Sequence, residues 1–203
     1  MRYLIDNNVT SLASSIHDTI ACGDADGFQK KFTAFLQEYF AIFCTPHQKE
    51  KGYQAMCYML IYALFGKEYD VRMEQDAGHG RADITAHPFS SQRLLAFIFE
   101  IKSVARHSIR NGKRTLKKQD QTEKDLEKAK IEALGQLADR RYRERAPLHA
   151  TKVHEFVFVF CGKFCIVGVR TLKRNSMKNW EEVAANSTVV CECTTDMDED
   201  GEA

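Results

Sequence analysis

Apolar residues recur at three- and four-residue spacing through the first 65 residues, which is the period of amphipathic helices. One such stripe covers residues 28–43, and a second covers about 47–65. Asp24 or Asp26 is suited to cap the first stripe, and Gly66 is suited to end the second. The pattern therefore predicts that the N-terminal third of the chain is helical.

After Gly66 the period changes from helical spacing to alternation, which is typical of β-strands. Residues 69–73 and 82–86 alternate around a turn at 76–80, and residues 94–101 are nearly all apolar, as in a strand buried on both faces. The remaining predicted elements are a basic loop at 103–121, a helix at about 122–145, strands at 155–160 and 164–170, and a short helical piece around Trp180.

The charge composition is nearly balanced, with 29 Lys+Arg against 28 Asp+Glu and a net charge of +1. This balance excludes a generic polycation and an acidic disordered chain, and the 44% hydrophobic content suits one full-sized domain. The local distribution is uneven. Residues 102–145 carry 14 basic and 7 acidic residues, a net of +7, and the rest of the chain carries a net of −6.

Neither membrane insertion nor secretion is predicted. The longest apolar runs, near 55–65 and 156–169, are interrupted by Tyr, Gly or Lys, and the N-terminus has no apolar signal region. The chain has seven cysteines and no Cys-x-x-Cys pair, which favours thiols in a reducing intracellular compartment, the cytoplasm or the nucleoid or nucleus. A zinc site at Cys161/Cys165 or Cys191/Cys193 is the alternative.

Three charged residues occupy positions where a purely structural strand would not need them. Asp83 lies in the second predicted strand, and Glu100 and Lys102 end the apolar third strand. Because strand residues two apart share a face, Glu100 and Lys102 point to the same side, and a hairpin brings Asp83 close. Two carboxylates beside a buried strand repel each other, and a divalent cation such as Mg²⁺ removes that cost. An ion-paired sheet face is the alternative interpretation.

The motif Gly80-Arg81-Ala82-Asp83, followed by Phe99-Glu100-Ile101-Lys102, resembles the PD-(D/E)XK nuclease superfamily. Within it, the chain is most similar to the nuclease-like family often fused behind AAA-type ATPase domains. The resemblance covers roughly residues 20–170. Its further matches are Gly23 to Phe28, Glu50 with Tyr53, Glu74, Gly78, Gly80, and Gln136 six positions before Tyr142. Ala82 stands where the superfamily name has Pro.

The resemblance implies an α/β restriction-endonuclease-like fold, with a mixed central β-sheet flanked by helices and an N-terminal helical segment. We divide the chain into a helical segment at 1–45, a nuclease core at 46–185 and an acidic tail at 186–203 that we expect to be disordered. The resemblance also implies a metal-dependent nuclease, with DNA as the first candidate substrate. This nuclease would act alone or within a larger multidomain, effector or mobile-element system.

The resemblance also implies roles for individual residues. Asp83 and Glu100 would hold Mg²⁺ or Mn²⁺ with the Ile101 carbonyl, and Lys102 would position a metal-bound water that attacks phosphorus. Glu50 would approach the metal or its water, and Gln136 the lysine or the scissile phosphate. Glu50 as a solvated helix residue and Gln136 as an ordinary helix residue remain alternatives.

A nucleic-acid surface is expected beside this site. Arg81 would contact a phosphate or pair with Glu74, and Tyr142 is a further candidate. The other candidates are basic residues of the loop after Lys102, namely Arg106, Arg110, Lys113, Arg114, Lys117 and Lys118. A solvated loop is the alternative for that segment. For the whole protein, the alternative function is a catalytically weak nuclease-fold module that binds nucleic acid or a protein partner.

Overall fold

The computed structural model describes residues 7–39, 50–77, 80–105, 107–110, 113–116, 118–162 and 164–183. The helices are α1 (Asn7–Cys22), α2 (Ala25–Tyr39), α3 (Glu50–Phe65) and α4 (Gln119–Arg140), with a 3₁₀ turn at Tyr142–Arg145. The strands are β1 (Tyr69–Ala77), β2 (Gly80–Pro88), β3 (Leu95–Ser103), β4 (His107–Arg110), β5 (Lys113–Leu116), β6 (Lys152–Cys161), β7 (Phe164–Arg174) and β8 (Trp180–Glu182).

Six of these strands form a mixed sheet in the order β1-β2-β3-β6-β7-β8. Within this described sheet, only β3 and β6 are parallel, and the other neighbours are antiparallel. A parallel pair needs a crossover connection, and here the crossover contains α4. The mixed sheet flanked by helices confirms the predicted α/β architecture, with the helical N-terminal part packed onto it.

The two faces of the sheet differ in the size of their buried side chains. The face covered by α1, α2 and α3 is rich in phenylalanine, and the Phe28 ring of α2 stacks on Phe158 of β6 with centroids 5.1 Å apart. The face covered by α4 carries smaller residues such as Ala96, Ile98 and Val157. Glu100 and Lys102 follow Ile98 in alternation, so they lie on the α4 face.

The predicted helix boundaries are close to the observed ones. Asp24, rather than Asp26, caps α2, because its Oδ1 accepts a hydrogen bond from the Gly27 N–H at 2.9 Å. The α3 helix ends at Phe65, where the Gly66 N–H donates to the Tyr62 carbonyl at 2.8 Å. Residues 40–49, which the prediction assigned partly to helices, lie outside the described residues.

Three predictions are corrected. The segment expected to be a loop contains the β4–β5 hairpin. The helix expected at 122–145 begins at Gln119 and ends at Arg140, where Arg141 adopts a left-handed backbone conformation with φ 53°. Trp180 lies in a strand rather than a helix, because residues 180–182 pair with residues 172–174 of β7.

Cys161 and Cys165 lie on opposite faces of the sheet, in the α4-side core and the phenylalanine-rich core respectively. Two thiols separated by a sheet cannot share one zinc ion, so this pair does not form the alternative zinc site. Cys191, Cys193 and the whole predicted acidic tail lie outside the described residues, and the proposed domain boundaries stay predictions. No helix in the described part of the chain is long and apolar enough to cross a membrane.

Candidate active site

Glu100 is a nearly inaccessible carboxylate at the end of β3, with a side chain only 2% exposed. Its Oε1 accepts two hydrogen bonds, one from Lys102 Nζ at 2.7 Å and one from Gln136 Nε2 of α4 at 2.6 Å. Its Oε2 is buried and has no hydrogen-bond partner among the described residues. One oxygen of Glu100 is therefore held by two hydrogen bonds, and the other has the capacity to bind a ligand.

Asp83 is held by hydrogen bonds to both of its carboxylate oxygens. Gln54 Nε2 of α3 donates to Oδ1 at 2.9 Å, and the Ile101 N–H of β3 donates to Oδ2 at 2.7 Å. In an extended strand the N–H and C=O of one residue point to the same edge. The Ile101 carbonyl therefore faces β2, on the side where the Asp83 carboxylate lies.

The backbone of β2 loses its regular pairing at Asp83 on both sides. The β2–β3 ladder ends with the pair Ile84 and Phe99, and beyond it the Asp83 side chain takes the Ile101 N–H. On the other side of β2, Met73 pairs with Ile84 and Gln75 pairs with Ala82, but Glu74, which lies opposite Asp83, is not paired in the ladder. Glu74 leaves the ladder because it adopts a left-handed conformation with φ 52°. A non-glycine residue in this conformation inside a strand costs about 1–3 kcal/mol, and such strain clusters at functional sites.

Strands β1 and β2, the end of β3, and helices α3 and α4 line one open cavity of about 340 Å³. The sheet contributes Glu74, Arg81, Asp83, Glu100 and Lys102, α3 contributes Glu50, Lys51 and Gln54, and α4 contributes Gln136 and Arg140. Four carboxylates and four cations line the cavity, so its lining as a whole is balanced in charge. The inner group of Asp83, Glu100 and Lys102 carries a net charge of −1.

Burial makes the two carboxyl groups of this inner group reluctant to ionise. Burial, together with the charge of Glu100, raises the pKa of Asp83 from 3.8 to about 7. Burial also raises the pKa of Glu100, against the opposing effect of the Lys102 hydrogen bond. For Lys102, burial lowers the pKa, but the hydrogen bond and charge of Glu100 outweigh it and the net pKa is raised. Lys102 is therefore an ammonium group at neutral pH.

These residues fit a hard divalent cation. Two carboxylates with a net negative inner charge, one unpartnered buried oxygen and an adjacent backbone carbonyl are the oxygen donors that Mg²⁺ and Mn²⁺ accept. Among the described residues, no group of three or more His, Cys, Asp or Glu side chains is arranged to hold a metal. A cation here would therefore rest on Asp83, Glu100, the Ile101 carbonyl and water.

The structure brings together most of the residues that the sequence singled out. Glu50 is half-buried at the first turn of α3 and lines the cavity, and its approach to a metal or its water stays a prediction. Gln136 donates a hydrogen bond directly to Glu100, and its role towards Lys102 or the phosphate stays a prediction. Arg81 lines the cavity with its guanidinium 3.7 Å from the Glu74 carboxylate. The two alternatives for Arg81 are therefore compatible.

Tyr142 does not fit its predicted contact with nucleic acid, because its side chain is fully buried. Its hydroxyl instead accepts a hydrogen bond from Arg140 Nη1 at 2.9 Å. Gly80 allows this packing, since a Cβ at that position would lie 3.0 Å from Arg140 Cδ. Tyr142 therefore orients Arg140, and it is Arg140 that lines the cavity.

The structure describes only part of the predicted basic surface. Lys118 is exposed immediately before α4. Arg110, Lys113 and Arg114 lie on the β4–β5 hairpin, and their side chains are outside what the structure describes. Arg106 and Lys117 lie outside the described residues altogether, so the role of this surface stays a prediction.

Three cavity residues were not predicted, namely Lys51, Gln54 and Arg140. Two of them had a usable signal. Gln54 follows Glu50 by four residues, and Arg140 follows Gln136 by four residues, and this spacing places side chains on one helix face. Extending each candidate by one helical turn would have found both.

A family profile described as the PD-(D/E)XK nuclease superfamily matches residues 48–169, more than half of the chain. The mixed sheet and the matched site define the class, and the chain belongs to the PD-(D/E)XK nuclease superfamily. Membership indicates phosphodiester hydrolysis and contact with nucleic acid, and divalent metals are the usual cofactors of this superfamily. Neither the curated proteins nor the solved structures gave a match to the chain.

Proposed function

We propose that this protein is a metal-dependent nuclease that hydrolyses phosphodiester bonds in DNA. The observation that carries the proposal is the inner group of Asp83, Glu100 and Lys102, in which one buried carboxylate oxygen has no hydrogen-bond partner among the described residues. Burying two carboxylates against one ammonium destabilises the metal-free fold. That arrangement is explained if a cation completes the group.

Asp83, Glu100 and the Ile101 carbonyl would hold Mg²⁺ or Mn²⁺. When bound, such a cation supplies Lewis-acid stabilisation of charge on the phosphate and lowers the pKa of a bound water. Gln54 and Gln136 keep the two carboxylates in place through the hydrogen bonds to Asp83 Oδ1 and Glu100 Oε1. Fixed ligand geometry of this kind is needed for precise placement of a reacting phosphate.

Lys102 is a proton donor in this proposal rather than a base. Its raised pKa keeps the proton on Nζ, and its side chain is 28% exposed towards the cavity. Nζ therefore orients the attacking water or donates to a phosphate oxygen as negative charge develops. Arg81 and Arg140, both at the cavity wall, suit the non-bridging oxygens of the phosphodiester.

The decisive experiment incubates the protein with closed circular DNA, linear duplex DNA, single-stranded DNA and RNA, each in Mg²⁺, Mn²⁺ or EDTA. We expect metal-dependent cleavage of DNA that disappears in Lys102→Ala, while circular dichroism shows an unchanged fold. Cleavage of closed circles would establish endonuclease action. Tight metal-independent binding without cleavage would instead support the binding-module alternative.

Metal binding is measured separately by thermal unfolding. A cation at one hundred times its dissociation constant stabilises the folded protein by about 2.7 kcal/mol. We expect Mg²⁺ or Mn²⁺ to raise the melting temperature of the wild type and to have no effect on the Asp83→Asn, Glu100→Gln double variant. Equal stabilisation of both proteins would place the metal elsewhere.

A further inference from the structure

A second cavity, of about 320 Å³, lies beyond the C-terminal end of α4. We call it the basic pocket and define it by four cations and one aromatic residue: Arg141, Arg143, Arg174, Lys178 and Trp180. Glu144 is the acidic residue of its wall. The pocket is therefore positively charged, and the catalytic role proposed above does not use any of these residues.

The positive charge of the basic pocket is only partly compensated. Arg141 pairs with Glu144, and Arg143 lies 3.3 Å from the buried Glu155. Among the described residues, Arg174 and Lys178 have no carboxylate within ion-pair distance. The acidic residues of β8 are engaged elsewhere: Glu181 accepts from Asn175 at 2.7 Å, and Glu182 pairs with Arg170 at 2.8 Å.

Arg174 is fixed in place by neutral groups. Its Nη1 donates to the Leu148 carbonyl at 2.8 Å and to the Pro147 carbonyl at 3.3 Å, and its Cζ lies 4.4 Å from the centre of the Trp180 ring. Carbonyl dipoles and an aromatic face hold a guanidinium without cancelling its charge. This arrangement leaves an ordered cation at the pocket wall.

The turn that carries Lys178 is also ordered by its own hydrogen bonds. The Asn179 N–H donates to Asn175 Oδ1 at 2.9 Å, and the Lys178 N–H donates to the Asn175 carbonyl at 2.9 Å. Lys178 itself adopts a left-handed conformation with φ 64°, and its side chain is exposed. The β7–β8 turn therefore presents, at the mouth of the pocket, an ammonium group with no ion-pair partner in the described part of the chain.

The basic pocket adjoins the candidate active site along the chain. Arg140 lines the catalytic cavity, and Arg141, the next residue, lines the basic pocket. Helix α4 ends between these two residues, because Arg141 adopts a left-handed backbone conformation. Consecutive residues of the chain therefore contribute a cation to each of the two cavities.

We propose that the basic pocket binds the phosphodiester backbone of the nucleic-acid strand whose scissile bond lies in the catalytic cavity. The ligand class is a nucleic-acid strand read by its phosphates, because arginine and lysine contacts to phosphate position a strand without reading its sequence. This inference rests on the proposed function and adds a flanking binding site to it.

The test measures binding in EDTA, so that no cleavage occurs, by fluorescence anisotropy of a labelled duplex of about two helical turns and of its single strand. The variant is Arg141→Asn with Lys178→Asn, since asparagine tolerates the left-handed backbone that both positions need. The control is Lys30→Gln with Lys67→Asn, which removes the same charge from exposed positions on the α1–α3 layer.

We expect the pocket variant to bind about tenfold more weakly, and the slope of log K against log salt to fall by about one to two, one for each phosphate that the pocket no longer neutralises. The control should stay within about twofold of the wild type. Equal reductions in both double variants, or none in the pocket variant, would overturn the proposal. So would competition by polyglutamate as strong as that by unlabelled DNA, which would indicate a site for acidic peptides.

The two proposals fail in different ways. If the wild type cleaves DNA and the pocket variant binds like the wild type, the flanking site is wrong and the nuclease function stands. If binding depends on the pocket but no metal supports cleavage, the flanking site stands and the nuclease function is wrong. If the wild type neither binds nucleic acid at low salt nor cleaves it with any metal, both are wrong.

Discussion

Glu100 and Glu155 are two buried glutamates on neighbouring strands of the same sheet, and their surroundings differ in one respect. Both lie on the α4 face, and the β3–β6 register places Glu155 beside Ile98, two residues from Glu100. Glu155 is fully buried between Arg143 at 3.3 Å and Arg170 at 3.5 Å, with Glu182 on the far side of Arg170. That group is neutral as a whole.

Glu100 has one ammonium partner and shares it with Asp83, so its group is left with a net negative charge. Burial raises the pKa of both glutamates, but only Glu100 has an oxygen with neither a hydrogen bond nor an ion pair among the described residues. Burial of the carboxylate therefore does not distinguish the two glutamates. Incomplete compensation of the charge does, and it is the basis on which the Glu100 group is proposed as the functional site.

The largest expected effect separates the two glutamates by catalysis. We expect Glu100→Gln to reduce DNA cleavage by about 10³-fold, equivalent to about 4 kcal/mol, because it removes one of the two proposed charged metal ligands. Glu155→Gln, measured per folded molecule, should stay within a few-fold of the wild type. Initial cleavage rates at saturating Mg²⁺ test this, and similar losses in the two variants would break the comparison.

The next effect separates them by stability. Glu155→Leu should lower the free energy of unfolding by about 3 kcal/mol, because Arg143 and Arg170 are left buried without their shared partner. Urea unfolding in EDTA measures the loss, and adding Arg143→Met should recover part of it. Glu100→Leu under the same conditions should cost less, since it also removes a repulsive charge. A larger loss for Glu100→Leu would contradict the assignment of Glu155 as the structural member of the pair.

The third effect concerns the pH dependence of the metal-free protein. Because the folded pKa of Asp83 is about 7, above its ordinary value of 3.8, the folded state binds more protons than the unfolded state between these values. The stability that Asp83 contributes is therefore present below pH 3.8 and is lost as the pH rises through 7. Asp83→Asn removes this dependence and should stabilise the protein by about 2 kcal/mol at about pH 8.

Urea unfolding in EDTA at about pH 5 and about pH 8 measures the Asp83 effect. The amide introduced by Asp83→Asn can keep both hydrogen bonds, accepting from the Ile101 N–H and donating to a rotated Gln54 amide, so the comparison isolates the charge. Asp70, a half-exposed carboxylate of β1 paired with Arg72 at 2.6 Å, supplies the matched control Asp70→Asn. An Asp83→Asn variant with the same pH dependence as the wild type would show that this carboxylate ionises normally.

The smallest effect concerns Gln54, which holds Asp83 without being a ligand. Gln54→Met should reduce cleavage by about tenfold, as expected when a hydrogen bond that orients a metal ligand is removed. Gln29→Met is the matched control, because the Gln29 Oε1 accepts from the Val167 N–H of β7 at 2.9 Å and Gln29 is not a lining residue of the catalytic cavity. The control should lose stability and keep its cleavage rate. If Gln54→Met lost stability and kept its cleavage rate, Gln54 would be only a packing residue.

Several features of the molecule were available from local patterns. Alternation within one strand was enough to place Glu100 and Lys102 on the same face, and helical spacing located α3 and α4 to within a few residues. The motif around Asp83 and Glu100 then indicated the superfamily that the family profile supports. These inferences work because strand and helix periods are set by backbone geometry within a few residues.

Other features had no local signal. The strand at Trp180 is three residues long and exists only because it pairs with β7, and the β4–β5 hairpin is formed by mostly polar residues without a regular apolar alternation. The burial of Tyr142 likewise depends on how the chain turns after Arg141. Each of these depends on a partner distant in sequence, which propensity does not report.

Local patterns along the chain were enough to predict the periods of the helices and strands, the class of the fold and the three charged residues at the centre of the site. Three other features depend on the folded arrangement: Gln54 and Gln136 approach these residues from opposite layers, β2 loses its pairing on both sides of Asp83, and one oxygen of Glu100 has no partner among the described residues. They could not be predicted locally because a charge becomes costly or useful according to what surrounds it. Those surroundings are assembled by segments far apart along the chain.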